Sequence, residues 1–346
     1  MKRITSLFVV VVLLAAVMAG CSNKGKSGGA ASYPTPEKPM KLKMAYDPPP
    51  KEVTDLTAIE FKNFVEEKTN GALQFDLYPA NQLGSMKQML DGVLSGTIEI
   101  VLSPWNMLTT IIPEMNAMIL PFNIDTIELY WKVVGGQEFR DKMNELTQPK
   151  GIVYLGSPNG ICRGLITTKP VRAPEDLRGL KVRVMDGPIY TDMFNAWGAG
   201  TSVISFGEIY TAMQQGVIEA IDNNPDIGVL MKLFEVGKYF TFTNHIMHGC
   251  PMVVNMDVWN KLSPEQQQIM IQAGKDMEKF SYETYIPVGS GFEDIAESDF
   301  GVTFIHLDNA TRQRWIDMAQ PVYTKYRGII GAEFYDWFMN YVDKLR

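Results

Sequence analysis

Polar and apolar positions alternate over 41–46 (KLKMAY) and again over Leu73–Tyr78 (LQFDLY), the period-two pattern of half-buried strands. Between them, 52–70 places Leu56, Ile59, Phe61 and Phe64 near helical spacing and ends at Gly71, a residue type favoured just past a helix C-terminus. Asp47 and three prolines close the first strand, and Pro79 closes the second. Ser85 is placed to cap a helix running to Leu94, and 98–102 reads as a third strand that stops at Ser103-Pro104. This β-α-β-α-β order predicts a parallel sheet with helices on both faces. Ligands bind such sheets at the carboxyl ends of the strands, which here carry Asp47, 81–85 and 103–106. A second set begins near Gly160, with strands expected over 163–168, 181–185 and 203–206 and helices over 188–197, 207–215 and 225–236. The apolar run 245–254 (HIMHGCPMVV) reads as a further strand. Ser263 and Gln266 form a capping box, with Pro264 at the first helical position, opening a helix toward the 290s. A late strand over 302–307 and helices from Thr311 and from Ala332 complete the chain. Two α/β lobes follow, with the cleft between them the default site for a small ligand.

The N-terminus departs from this rhythm. Lys2 and Arg3 precede an unbroken apolar stretch over 7–18. Twelve helical residues rise about 18 Å, well short of a hydrocarbon core of about 30 Å, so 1–20 reads as a secretory signal. Met18-Ala19-Gly20-Cys21 resembles a lipoprotein-processing box, with Met where Leu is usual and Cys21 as the residue to be lipidated. The alternative is an ordinary signal peptide with an incidental cysteine. Residues 21–39 (CSNKGKSGGAASYPTPEKP) are small, polar and proline-punctuated, a flexible tether. This places the folded part outside the cytoplasm, in the periplasm or on the outer face of the cell membrane, anchored by lipid.

Composition narrows the function. Lys and Arg total 32 against 39 Asp and Glu, which lacks the basic footprint of a nucleic-acid binder; removing 1–20 takes the net charge from −7 to −9. Three cysteines without a C-x-x-C exclude a disulfide scaffold and a zinc ribbon, and no metal or cofactor is expected. Only His245, His248 and His306 are available for histidine chemistry, and there is no H-E-x-x-H, G-x-S-x-G or P-loop.

The segment 66–84 (EEKTNGALQFDLYPANQLG) resembles the DctP-type solute-binding proteins of TRAP transporters. The resemblance continues through 89–98 (MLDGVLSGTI), Leu120-Pro121-Phe122, Lys169-Pro170, 174–184 (PEDLRGLKVRV), Gly198-Ala199 and Glu208-Ile209-Tyr210. It extends through 214–217 (QQGV), Asp222-Asn223, Thr243-Asn244-His245 and 262–265 (LSPE), covering essentially everything after the tether. It implies an α/β two-lobe periplasmic solute-binding protein fold with the ligand cleft between lobes, formed by 40–160 plus 249–288 and by 161–248 plus 289–346. It also implies a protein without catalysis, which closes on a small organic acid and delivers it to a TRAP membrane permease. In that family the arginine at the position of Arg183 pairs with the ligand carboxylate, a second arginine matches Arg163, and Phe206 and Asn223 match a pocket aromatic and a pocket amide. The family's x-E-N-P pattern stands here as Asp222-Asn223-Asn224-Pro225, which leaves open whether Asn223 or Asn224 faces the ligand.

The arginine assignment is chemically sound, since a guanidinium meets a carboxylate through a planar fork and keeps its charge. Arg163 has a structural ion pair as its alternative role. Asp47 is either an acceptor for a ligand donor or an Asx turn before the prolines. Ser85, Ser103 and Asn106 are further candidates, and Trp105 either stacks on a ligand or covers the lobe edge. Pro104 stands where some relatives carry an acid and Ser85 replaces another, which points to a smaller or more apolar acid. Trp197 shares helical spacing with Met193 and Phe194 and reads as core, and His245 and His248 read as core or hinge residues. Cys162 and Cys250 lie where the chain crosses between lobes, as a disulfide or as two buried thiols. The competing functions are a binding protein of an ATP-driven importer and an exported carboxylate-dependent hydrolase.

Overall fold

The structure is a computed structural model that describes residues 33–346, without the side chains of 285–290. The signal segment, Cys21 and most of the tether lie outside the described residues. No described helix is long and apolar enough to cross a membrane.

Two sheets carry the fold. In the first, the order is β2-β1-β3-β12-β4, built from β1 (Met40–Ala45), β2 (Leu73–Tyr78), β3 (Ile100–Leu102), β4 (Ile152–Gly156) and β12 (Met252–Asn255). β1 runs parallel to β2 and β3, as the β-α-β-α-β order predicts, with Met40 opposite Leu73 and Met44 opposite Ile100. β12 then enters antiparallel between β3 and β4, so the sheet is mixed. Helix Val53–Lys68 is capped by Glu52, and Met86–Ser95 opens on the Ser85–Gln88 capping box. The apolar faces of sheet and helices meet in a core that includes Leu42, Met44, Phe61 and Phe75.

In the second sheet the order is β13-β10-β6-β9-β7-β8. Its strands are β6 (Gly164–Thr167), β7 (Lys181–Val184), β8 (Gly200–Val203), β9 (Ala220–Asn223), β10 (Tyr239–Phe242) and β13 (Thr303–His306). The strand expected over 203–206 instead ends at Val203, and Phe206–Glu208 is a 3₁₀ turn. The helix expected over 225–236 stops at Leu230, because Lys232 takes a left-handed φ of 57°. The C-terminal helix Ala332–Leu345 packs on the first sheet's flank, where Tyr341 stacks on Phe139 and its hydroxyl donates to the Val133 carbonyl at 3.1 Å.

Three crossings join the sheets. The chain passes from β4 through β5 (Ile161–Cys162) into β6, returns through β11 (Met247–His248) to β12, and crosses again along helix Pro264–Phe300. β5 and β11 pair as a two-stranded ribbon, with Cys162 opposite Met247. The run 245–254 is therefore two short strands, not one. Gly249 separates them at a point where any Cβ would collide with the Tyr130 hydroxyl. Among the described residues Cys162 and Cys250 are both free thiols.

Candidate functional site

The carboxyl ends of β1, β3, β7 and β8 face a cavity of about 410 Å³, the location that an open α/β sheet favours for a ligand. Asp47, Ser85, Asn106, Arg183 and Phe206 line it, joined by the side chains of Met86, Met107 and Met185. A smaller recess of about 30 Å³ shares Asp47, Pro104, Met185 and Phe206 with the main cavity and adds Glu52, Arg163, Asn223 and Asn224. Helix starts supply much of this lining, because residues just after a strand must turn and cap the next helix.

Arg183 is the third residue of β7, inside a sheet, and is only 3% exposed. Its Nε donates to the Ile204 carbonyl at 2.8 Å, while Nη1 is buried without a partner. Among the described residues no carboxylate lies within ion-pair distance of it. Burial lowers its pKa to about 10, with Arg163 adding to the effect and Asp222 and Asp47 opposing it. An unpaired buried cation is costly, so this geometry suits an incoming anion.

Arg163 is held differently. Its Nε meets the Asp222 carboxylate at 2.7 Å, and its Nη2 donates to the Asp222 carbonyl. His245, fully buried, lies with Nε2 3.8 Å from the same carboxylate and Nδ1 2.7 Å from the Thr243 hydroxyl. Burial alone raises the Asp222 pKa, but Arg163 and His245 outweigh it and hold the carboxyl well below the usual range. Arg163 thus has the ion pair that its alternative role requires while still lining the recess.

Asn223 and Asn224 both reach the recess, with different amides on offer. The Asn223 Nδ2 is buried without a partner, whereas Asn224 donates its Nδ2 to Asp226. Asn106 spans the cleft, donating from Nδ2 to the Asp186 carbonyl after β7 at 2.6 Å. Ser85 lines the cavity while capping its helix, with its hydroxyl accepting from the Gln88 N–H at 3.4 Å.

Ser103 and Trp105 are not brought to the cavity. Ser103 is fully buried, and Trp105 packs in the core, stacked on Tyr154 with its Nε1 donating to the Tyr130 hydroxyl at 3.3 Å. The short helix Trp105–Leu108 turns the indole inward beneath Asn106. Trp197 is core as expected, edge-on to Trp315 at 4.9 Å.

Glu52 and Asp226 are functional candidates that pattern reading passed over. Glu52 caps a helix, accepting from the Thr54 N–H at 2.6 Å and from Asn159 Nδ2 at 2.9 Å. Burial pushes its pKa up to about 8, with Asp226 and Asp47 adding to the rise. Burial likewise pushes Asp47 and Asp226 each up to about 6. The recess thus gathers the carboxyl groups of Asp47 and Glu52 and the amides of Asn223 and Asn224. Glu52 follows Asp47 and the prolines in the loop after β1, a placement at a strand's carboxyl end that pattern reading could have used to find it.

Known proteins resemble this chain along most of its length. Bacterial extracellular solute-binding protein, family 7 (DctP), matches residues 44–328. The C4-dicarboxylate-binding periplasmic protein of Rhodobacter capsulatus is 27% identical over 88% of this chain and 91% of its own. The 2,3-diketo-L-gulonate-binding periplasmic protein of Escherichia coli K12 is 28% identical over 68% of this chain and 72% of its own. A TRAP periplasmic solute-binding protein of Pseudomonas putida F1, solved with bound D-glucuronate, superposes with a TM-score of 0.81 at 28% identity, covering 88% of this chain and 97% of that one. These relatives are two-lobe solute binders with a ligand cleft, not enzymes. With the match running through both sheets, the chain belongs to the DctP family of extracytoplasmic TRAP solute-binding proteins, which bind small acids.

Proposed function

We propose that this protein captures a hydroxylated organic acid of the sugar-acid class, pairing the ligand carboxylate with Arg183, and delivers it to a TRAP membrane permease. The observation that carries the reading is Arg183 itself, a 3%-exposed guanidinium on the cavity wall with a buried Nη1 lacking an acceptor. A charge-assisted hydrogen bond contributes about 1.5–3 kcal/mol, whereas micromolar affinity needs about 8 kcal/mol. Met86, Met107, Met185 and Phe206 offer apolar wall for part of the remainder. Asp47, Glu52 and Asn224 offer acceptors for hydroxyl groups, and Asn223 offers a donor. The glucuronate bound to the P. putida relative and the diketogulonate of the E. coli relative favour a ligand of this kind.

In this reading 40–160 plus 249–288 form one lobe and 161–248 plus 289–346 the other, closing about the three crossings. Cys21 carries the lipid anchor, and 21–39 tethers the lobes outside the cytoplasm. Thermal shift against sugar acids and their neutral parent sugars tests the function, since stabilisation grows as RT ln(1 + [L]/Kd). A midpoint raised by an acid and not by its parent sugar supports the proposal, while a response to the neutral sugar alone refutes it.

A further inference from the structure

A second cavity, of about 490 Å³, lies beside the third crossing and shares no lining residue with the ligand cleft. Helices Ile127–Gly135, Gln137–Thr147 and Pro264–Phe300 line it as an open groove, contributing Trp131, Arg140, Lys275, Glu278, Lys279 and Tyr282. Three of these are cations and one is a carboxylate; Lys279 also lies 3.6 Å from Glu283 and Lys275 donates to the Gln137 side chain at 3.1 Å, which leaves one positive charge in excess on a chain whose net charge is −7.

Four features point the site toward an anion. Gly136, the N-cap of Gln137–Thr147, provides no side-chain cap for the helix's first turn. Glu138 in that turn is engaged elsewhere, accepting from Trp337 Nε1 at 2.9 Å. Arg140, 5% exposed, donates to the Leu155 carbonyl at 2.9 Å and pairs with Glu278, yet its Nε has no acceptor. The indole N–H of Trp131 is also buried without one among the described residues. A helix N-terminus with cations beside it is a ready anion site, and buried donors without acceptors are costly. Trp131 and Tyr282 add two aromatic rings with centroids 5.8 Å apart and planes inclined at 65°, an apolar corner beside the charge into which one flat ring fits.

We propose that this cavity is a second ligand site for a small carboxylate with a flat apolar body, an aromatic monocarboxylate, its charge toward Arg140 and Lys275 and its ring against Trp131 and Tyr282. Burial pushes the Glu278 carboxyl up to about 7 against the opposing pull of Arg140, which weakens its claim on the cations around it. The site also touches the hinge. Glu278 accepts from the Ser157 N–H at 2.7 Å, Ser281 accepts from the Asn159 N–H at 2.8 Å, and Asn159 reaches Glu52 at the ligand cleft at 2.9 Å.

The test titrates phenylacetate into the processed full chain while NMR follows the Trp131 indole N–H, assigned by its loss in Trp131→Phe. The resonance moves along a saturable curve in the wild type. In Lys275→Glu/Lys279→Glu, with both changes on the rim of the cavity, the curve weakens about tenfold. Acetate, which lacks the ring, binds more weakly than phenylacetate. An unmoved resonance at about 10 mM ligand overturns the site, as do identical curves in the two proteins. Equal affinity for acetate overturns the aromatic part of the assignment.

Discussion

Replacing Asp222 by Asn keeps the side chain's shape and removes the countercharge from a buried arginine. Arg163 is 2% exposed and Asp222 fully buried, with Nε and Oδ2 2.7 Å apart. At that separation an effective dielectric of about 20 gives an attraction of about 6 kcal/mol, against a desolvation cost of several kcal/mol per ion. Removing one partner of such a pair costs about 3–5 kcal/mol, because the other charge stays buried and uncompensated. Asparagine keeps one side-chain oxygen and the main-chain carbonyl that Arg163 also contacts, so the lower end, about 3 kcal/mol, applies. At roughly 2–4 °C per kcal/mol, calorimetry of Asp222→Asn at pH 7 registers a fall in Tm of roughly 6–12 °C.

The pH dependence gives an independent check. The Asp222 carboxyl is held below its unfolded value, so its stabilisation is complete above the unfolded pKa of about 3.9 and is lost as pH falls toward the folded one. The gap between wild type and variant therefore narrows below about pH 4. A Tm within about 1 °C of wild type at pH 7 refutes the reasoning, and so does a gap that stays constant on acidification.

Glu52 carries the opposite sign. Its folded pKa is raised to about 8, so ionisation above the unfolded value of about 4.3 destabilises the fold increasingly until pH passes 8. Glu52→Gln is expected to gain stability over wild type at pH 8.5 and little at pH 4, as read by chemical denaturation; an equal effect at both contradicts the shift. Asn106→Ala removes the bridge to the Asp186 carbonyl across the cleft, a loss of about 1 kcal/mol or roughly fivefold in ligand affinity, checked by the ligand off-rate. Trp105→Phe lowers Tm through lost packing and leaves ligand affinity within about twofold, since the indole lies in the core; a large affinity loss with unchanged Tm returns Trp105 to the site.

Local chemistry explains which parts of this arrangement were legible in the sequence. The strand Leu73–Tyr78 was read to the residue, because alternation and Pro79 fix both its register and its end. The Ser85 and Ser263 capping boxes likewise announce their helices, each satisfying two backbone donors from residues three apart. The antiparallel entry of β12 beside β3 was not legible, since the partner strands are about 150 residues apart and nothing local encodes their direction. The same holds for 245–254, whose apolar run conceals a crossing that Gly249 and Tyr130 impose by contact.

At the site, Asp47 and Asn106 follow from their positions just after strands, where a parallel sheet gathers its ligand contacts, whereas Arg183 and Phe206 were marked only by the family resemblance. Trp105 illustrates the limit of that rule, because a residue after a strand faces inward or outward according to the helix it begins. Glu52 and Asp226 were hidden for a related reason. Each stands at a helix start and reads as a cap, and only tertiary folding brings them within electrostatic reach of each other at the recess.

The central claim is that a ligand carboxylate completes Arg183, and titration calorimetry of the most strongly stabilising sugar acid against wild type and Arg183→Ala tests it most directly. Losing two charge-assisted hydrogen bonds costs about 3–6 kcal/mol, so affinity is expected to fall more than about 100-fold while circular dichroism shows the fold retained. Wild-type affinity in the variant contradicts the account.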